Sequence, residues 1–599
     1  MDSQDFVSDL FARYLRDDDL TVKNNAKTAR SVGGLNLHLR EAVTREYCLT
    51  QIYPAEIATA HRSGALHLHD LGFFGPYCAG WDLHQLLILG FTGVPGKVSA
   101  PPARTLHEAL NQIVNATFTL QGETAGAQAW SSFDTYLAPF VRHDGLSDDE
   151  LEVLLREFVF SLNVATRSGF QCPFSNLTLD IHCPVPLRET PVVIGGVLHE
   201  TTYGDYQAEI ERLDLAFCRV MLAGDGQGRA FTFPIPTINI TRATDWQSPV
   251  MTQITAMAAK YGIPYFANYI NADLRPEDAV SMCCRLRLDV RELRKRGGGL
   301  FGSNPLTGSI GVVTLNLPRL GYQAVDESDF FVRLGHLADL AKDSLEIKRR
   351  LVEAQTAAGL YPYSAYYLQG VKQRTGNYWY NHFSTIGIVG MQECLLNLKG
   401  VGLDSAVGQQ FAVRVMHFLR DKLRTYQEST GHVYNLEATP AETVASRFAR
   451  LDQSAYPQII TAGTKQAPYY TNSTQLPVGY TDDIFQMIEL QDELQSLYTG
   501  GTVVHLYTGE KLDDIEAVKR LIQKVFARYR LPYLSITPTF SICPSHGYLP
   551  GEQWRCPHCG AETEVWSRVV GFLRPVANYH AGKRQEYLDR KKYRLLKTE

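Results

Sequence analysis

Between about residues 170 and 540 the chain alternates short β-branched runs with long amphipathic segments, and this alternation narrows the fold more than any other feature. Strands are expected at 173–181, 231–240, 262–268, 311–317 and 535–540. Helices are expected at 5–16, 38–64, 105–122, 146–168, 204–223, 328–357, 406–428 and 510–528, with Ser147 or Asp148 capping the fourth. Strands separated by long helices build βα units around a mostly parallel sheet. No linker divides residues 30 to 530, so one large α/β core is expected rather than a string of small domains. With 599 residues the chain has ample material to bury such a core.

Composition excludes several classes. Hydrophobic residues make up 45% and charged residues 20%, which rules out disordered and fibrous chains. Lys plus Arg number 58 and Asp plus Glu 63, a net charge of −5, so a protein that coats nucleic acid is not expected. The amphipathic start carries acids early and has no secretory pattern. The most apolar stretch, Leu86 to Phe91, is far too short to span a bilayer. A reducing, cytoplasmic setting is therefore expected. There, clustered cysteines act as metal ligands or catalysts rather than as bridges. The chain has eleven cysteines. Cys48, Cys172, Cys183, Cys218 and Cys394 carry no spacing signal and are assigned to packing.

Three of the others cluster near the C-terminus. Cys543-Pro-Ser-His546 is followed, after nine residues, by Cys556-Pro-His-Cys559. Each pair can close a tight knuckle, and four such ligands suit a closed tetrahedral zinc site with no open coordination position. Its role would be structural. Gly547 and Gly560 follow the knuckles, where sharp turns are needed. His546 has the spacing of the fourth ligand, and His558 is the bystander. Alone, the cluster would also fit a zinc ribbon that binds nucleic acid, although no dense aromatic–basic stripe accompanies it.

Directly after the cluster comes Ser-Arg568-Val-Val-Gly571-Phe-Leu-Arg574-Pro and then a GKRQEY tail. A lone glycine usually serves a turn. This segment, however, resembles the C-terminal radical loop of glycyl radical enzymes. With the preceding Cys pairs it resembles, more narrowly, the anaerobic (class III) ribonucleoside triphosphate reductases. Glycine suits a stored backbone radical because it offers an abstractable Cα hydrogen, flanking amides and no Cβ. The resemblance runs from about residue 30 to the end. It implies a ten-stranded α/β barrel over residues 1–535, zinc-binding knuckles over 536–565, and a glycyl radical loop with a basic tail over 566–599.

The same resemblance assigns roles in the core. Ser-Met282-Cys283-Cys284-Arg285 looks like the family's finger loop, with the thiyl radical at Cys284 and Cys283 as the alternative. Cys78, in GPYCAGWDL, would face the thiyl across the substrate. Asn316, in GVVTLNLPR, would hydrogen-bond the ribose hydroxyls, as an amide can without adding charge. Thr439, Glu442, Thr443 and Ser446 surround a helix start suited to substrate phosphates. The implied activity is reduction of ribonucleoside triphosphates to 2′-deoxyribonucleoside triphosphates. A separate radical-SAM activase with an iron–sulfur cluster would install the radical, since this chain lacks the Cys-x3-Cys-x2-Cys motif. Nucleoside triphosphate effectors would act at a homodimer interface, placed at the helices between 105 and 170. No ATP-cone motif is present. The reductant would be formate or a thioredoxin- or glutaredoxin-like protein; Met-Cys-Cys in place of Met-Gly-Cys favours the redoxin, through a Cys78–Cys283 disulfide. Two rivals remain at this level: another glycyl radical enzyme of lyase type, and the zinc-ribbon nucleic-acid binder.

Overall fold

The computed structural model describes residues 3–15, 31–165, 171–271, 279–281, 287–289, 306–509 and 512–593. Ten strands form its centre. They are β1 (Cys78–Trp81), β2 (Gln128–Trp130), β3 (Ser175–Leu179), β4 (Ile235–Ile240), β5 (Tyr265–Asn268), β6 (Thr307–Asn316), β7 (His382–Val389), β8 (Tyr434–Glu437), β9 (Val504–Thr508) and β10 (Tyr533–Pro538). Their spatial order is β8-β7-β6-β1-β2-β3-β4-β5-β10-β9. Strands β1 to β5 run parallel, as do β6 to β8 and the pair β9 and β10. The direction reverses at β6/β1 and at β5/β10. The two ends of the path meet: Gly500 N donates to Leu436 O at 2.8 Å and Ala438 N to Gly501 O at 2.7 Å. The sheet thus curls into the ten-stranded α/β barrel that the resemblance implied.

Alternation along each strand sorts the side chains. On β10, Leu534 and Ile536 join the outer core with the helices, while Tyr533 joins an inner cluster. The inner cluster holds Cys78, Ala129, Tyr265, Phe383 and Val503, one or more residues from most of the strands. Polar residues share its face: Thr385 follows Phe383 by two, Asn435 and Glu437 follow Val433, and His505 follows Val503. A sheet covered by helices normally carries apolar residues on both faces. Here the inner face mixes that apolar cluster with polar side chains, of which Asn435 is buried and unpaired, and this is the arrangement of a site rather than of a packed centre.

The expected helices form, with physical corrections at their ends. Ser147 caps Asp148–Asn163 in a reciprocal capping box with Glu150. The single helix expected over 38–64 is three pieces: Val32–Tyr47, a π-helical turn at Cys48–Ile52, and Ala55–Ser63. Pro54 forces that break, because the residue before a proline is driven from the helical region. Strands β1, β2, β7, β8 and β9 were not read from the pattern. Among the described residues no helix is long and apolar enough to cross a membrane.

After β10 the chain enters a second, antiparallel sheet of four short strands: β11 (Phe540–Cys543), β12 (Gly547–Pro550), β13 (Glu564–Arg568) and β14 (Leu573–Pro575), in the order β12-β11-β13-β14. The helix Ala581–Asp589 follows. Phe540 stacks on Trp566 and on Tyr548, and Tyr261 of the barrel meets Phe540 edge-on. A bidentate pair from Arg229 to Glu564, at 2.8 and 2.9 Å, fastens this sheet to the barrel.

Candidate active site

The C-terminal sheet carries one group at each end. At the first end, the ligand atoms of Cys543, His546, Cys556 and Cys559 all lie within 4.8 Å of one another. Cys543 Sγ stands 3.6 Å from His546 Nδ1 and 3.6 Å from Cys559 Sγ, and Cys556 Sγ stands 3.5 Å from His546 Nδ1. A tetrahedron with ~2.3 Å metal–sulfur bonds has edges of about 3.7 Å. The donor set, three thiols and an imidazole, therefore fits a metal ion in both type and spacing. His558 stays outside the quartet, its ring 5.3 Å from that of His546. Gly547 and Gly560 turn the knuckles at φ of 68° and 70°, left-handed positions that favour glycine.

At the other end, β13 and β14 are joined by residues 569–572, with Val569 N donating to Phe572 O at 3.0 Å. Gly571 sits in this turn. Its neighbour Phe572 packs edge-on against Phe174 and lies near Phe233, with ring centres 5.8 and 6.3 Å away, among the inner cluster that holds Cys78. The carbonyl of Gly571 accepts from the Tyr265 hydroxyl and from Arg568 Nη1, the latter at 3.1 Å. The helix Ala581–Asp589 secures the turn from behind. Arg590, just beyond it, donates to the carbonyls of Arg568 at 3.1 Å and Val569 at 3.3 Å. Burial opposes the charge on Glu586, yet Lys583 and Arg590 hold its carboxyl below the usual range.

Cys78 is fully buried on β1. Its register partner on β6 is Ser309, so the two share a face. The Ser309 hydroxyl lies 2.8 Å from Thr385 Oγ1 and 3.0 Å from Gly311 O. Asn316, seven residues further along β6, is committed elsewhere. Its amide nitrogen donates to Gly64 O and to Asp452 Oδ2, each at 2.8 Å, and its oxygen accepts from Arg319 N as a helix cap. Both amide protons are used, which corrects its expected role as a ribose ligand. Ser309 is the β6 residue facing Cys78, and sequence reasoning missed it. Cys283 and Cys284 lie outside the described residues. Among the described residues the other nine cysteines are unbridged thiols.

The expected phosphate group divides. The carboxylate of Glu442 pairs with Arg574 at 3.1 Å, and its carbonyl accepts from His580 at 2.8 Å. Burial pushes the Glu442 carboxyl up, against the pull of Arg574 and Lys583. A Cβ on Gly582 would collide with the Ser446 hydroxyl. Glu442 is thus a contact to the C-terminal segment rather than to substrate, which corrects that expectation, while the Ser446 hydroxyl is buried without a partner beside Gly582. Thr443 opens the helix Val444–Ala455 without a side-chain cap bond. Thr439 differs. Its hydroxyl is buried without a partner, close against Gly387, where a Cβ would collide with it. It lines a cavity of about 70 Å³ together with Asn472, Ser473, His505, Tyr507 and Val570. Asn472 Oδ1 and Ser473 Oγ are likewise buried and unpaired. The hydroxyl- and amide-rich run Thr471-Asn-Ser-Thr-Gln475 was the available signal for these two residues.

The comparisons with known proteins agree with this geometry. The family model for anaerobic ribonucleoside-triphosphate reductase matches residues 24–593. A relative of that name from Haemophilus influenzae is 24% identical, covering 96% of this chain and 84% of its own. A solved anaerobic ribonucleotide reductase superimposes with a TM-score of 0.77 at 21% identity, covering 98% of this chain and 93% of its own. The anaerobic ribonucleotide reductase of Thermotoga maritima with dATP in its specificity site gives 0.74 at 21% identity, covering 96% and 98%. The match of the family model over nearly the whole length removes the lyase and zinc-ribbon alternatives, and the chain belongs to the anaerobic ribonucleoside-triphosphate reductase family of oxidoreductases.

Proposed function

We propose that the barrel lumen reduces ribonucleoside triphosphates to 2′-deoxyribonucleoside triphosphates, using a radical stored at Gly571. The seating of the Gly571 turn against the inner cluster that contains Cys78 is the observation that carries the reading. A 5′-deoxyadenosyl radical, made by a separate radical-SAM activase, takes the Gly571 Cα hydrogen and leaves 5′-deoxyadenosine. Gly571 then accepts a hydrogen atom from Cys284, or from its neighbour Cys283, and the thiyl so formed removes the ribose 3′-hydrogen. Cys78 gives hydrogen to the 2′ position as the 2′-hydroxyl leaves as water. The thiol formed at the finger loop then returns the 3′-hydrogen, restoring the thiyl and, from Gly571, the stored radical. Two electrons and two protons enter per turnover, either from formate, released as carbon dioxide with the second proton taken from solvent, or from a redoxin dithiol through a Cys78–Cys283 disulfide. The second thiol at Cys283 favours the dithiol.

Thr439 and Ser473 hold the phosphates, with Thr443 at the start of the helix behind them; unpaired buried hydroxyls in one cavity can donate to phosphate oxygens. Cys543, His546, Cys556 and Cys559 bind zinc, which supplies rigidity to the sheet and no chemistry to the nucleotide. Nucleoside triphosphate effectors bind between two copies of the chain, at the helices Leu106–Leu120 and Asp148–Asn163.

The test is anaerobic incubation with a radical-SAM activase, S-adenosylmethionine and a reductant. A glycyl EPR doublet absent from Gly571→Ala, followed by conversion of CTP to dCTP, is expected. A doublet that survives in Gly571→Ala would sink the assignment. Formate-driven turnover retained in Cys283→Ser would sink the dithiol route alone.

A further inference from the structure

We propose that Tyr265 and Arg568 are positioning residues that clamp the Gly571 carbonyl and thereby set both the yield and the lifetime of the radical. The inference rests on the reading of Gly571 as the radical residue and deepens it.

Tyr265 lies on β5 with its ring in the inner cluster, and its hydroxyl donates to Gly571 O. Arg568, on β13, is 1% exposed. Its Nη1 donates to Tyr265 Oη at 2.7 Å and to Gly571 O at 3.1 Å. Its Nε donates to Thr537 Oγ1 at 3.1 Å and its Nη2 to Gly262 O. The guanidinium centre stands 4.6 Å from the centre of the Tyr265 ring. Every one of these acceptors is a neutral oxygen, and among the described residues no carboxylate pairs with Arg568. A buried cation without an anion is costly to keep. Here it is spread over oxygens of the barrel wall and of the glycine turn, and two of its contacts converge on one carbonyl and the phenol that serves it.

That convergence has a chemical consequence. A Cα radical between an amide nitrogen and a carbonyl is stabilised as electron density passes from the nitrogen, through Cα, towards the oxygen. Donors on that oxygen draw spin from Cα onto the carbonyl and weaken the Cα–H bond. Fixed donors aimed where density accumulates act without reorganisation. They also hold the plane of the turn, so the hydrogen always leaves in the same direction.

Tyr265→Phe removes the hydroxyl and keeps the ring. After activation of the full-length, metal-loaded protein we expect a radical that decays faster without oxygen by about 2- to 13-fold, the range for one lost hydrogen bond. Its α-proton splitting should change, while melting temperature and metal content stay as in the parent protein. A purely structural role would move the last two and leave the splitting alone. Replacing Tyr265 by a fluorotyrosine, a stronger donor, should shift the splitting and the decay in the opposite direction. Arg568→Lys should behave as Tyr265→Phe; should it fail to fold, the two changes at Tyr265 still decide. A parental splitting, yield and decay in Tyr265→Phe would overturn the clamp while leaving Gly571 as the radical residue. No doublet in the activated parent protein, or a doublet retained in Gly571→Ala, would overturn the underlying reading and the clamp with it.

Discussion

The barrel and the C-terminal sheet solve different problems with different forces. The barrel is built from ladders that close on themselves and an outer face of Leu, Ile, Val and Phe pressed against helices. Its stability grows with apolar area and needs no directed contact. The C-terminal sheet has strands of three to five residues, and the apolar cluster at its metal end contains only Cys543, Leu549 and Cys556. So small a unit needs staples. Four side chains that could hold a metal ion gather at one end, and buried charges hold the other: Arg568, the Arg574–Glu442 pair, and Lys583 and Arg590 around Glu586. Burial without direction is enough for an enclosure. A residue that must be presented to a lumen at a fixed angle needs directed bonds.

That contrast can be broken, and the largest effect comes from its endpoint. Gly571→Ala should abolish the EPR doublet and all deoxynucleotide formation while leaving the melting temperature unchanged; any residual turnover would separate the turn from the chemistry. Cys78→Ala should leave the doublet intact and lower turnover on the order of 10³-fold or more. Chelation of the metal, or Cys556→Ser, should come next. Loss of a structural metal unfolds its own small unit, so the radical yield should fall at least about 10-fold, with amide protection lost over 540–568 and kept in β3, β4 and β10. Simultaneous loss of protection in the barrel would show that the two regions are one cooperative unit.

Smaller effects sharpen the same contrast. Glu442→Ala removes the carboxylate of a buried ion pair with Arg574, a cost of about 3–5 kcal/mol, and should appear as local opening of 573–590 by hydrogen exchange rather than as a drop in the barrel's melting point. Glu393, beside the barrel, is a test by pH. Its carboxylate accepts from Thr471 N at 3.1 Å and from Thr471 Oγ1 at 2.7 Å, and burial pushes its pKa up to about 7. The folded state thus holds this proton more tightly than the unfolded chain. Stability is fullest below the unfolded value near 4.5 and is lost as pH rises through about 7, by up to about 3 kcal/mol. Glu393→Gln should flatten that slope in a denaturant titration across pH 5 to 8. The mildest change is Thr439→Val or Ser473→Ala, expected to raise the nucleotide KM about 10-fold with the fold intact; an unchanged KM would move the phosphates elsewhere.

Much of the site was legible where the signal is local. Cys543 and His546, like Cys556 and Cys559, are three residues apart, and a knuckle needs only that spacing and the glycine after it. Ser147 declared its helix start through its own sequence, with Glu150 three residues on. Four of the five strands that escaped notice are of two kinds. β1 and β2 have four and three residues, too few for a period to register. β8 and β9 carry Asn435, Glu437 and His505 on their inner faces, polar residues where a buried parallel strand is expected to be apolar.

The errors concern residues whose partners are far away in the chain. Asn316 has the right chemistry for a ribose, but Gly64 and Asp452, 252 and 136 residues distant, take both its protons. Glu442 sits in a fitting helix-start sequence, yet Arg574, 132 residues on, claims its carboxylate. Ser309 and Thr385 become neighbours only because β6 lies between β1 and β7.

By itself, then, the sequence placed four metal-type ligands at knuckle spacing and carried the alternation that builds a barrel, while Gly571 and Cys78 stood out only through resemblance to the family. Those properties depend on residue type and on separations of a few positions, which a chain holds whether or not it is folded. Only the tertiary structure decided which side chains are free to act, because a donor or acceptor is available in the lumen only if no distant partner has already taken it. It also decided what meets the Gly571 carbonyl, for Tyr265 and Arg568 lie 303 residues apart and converge there only when the barrel and the C-terminal sheet come together.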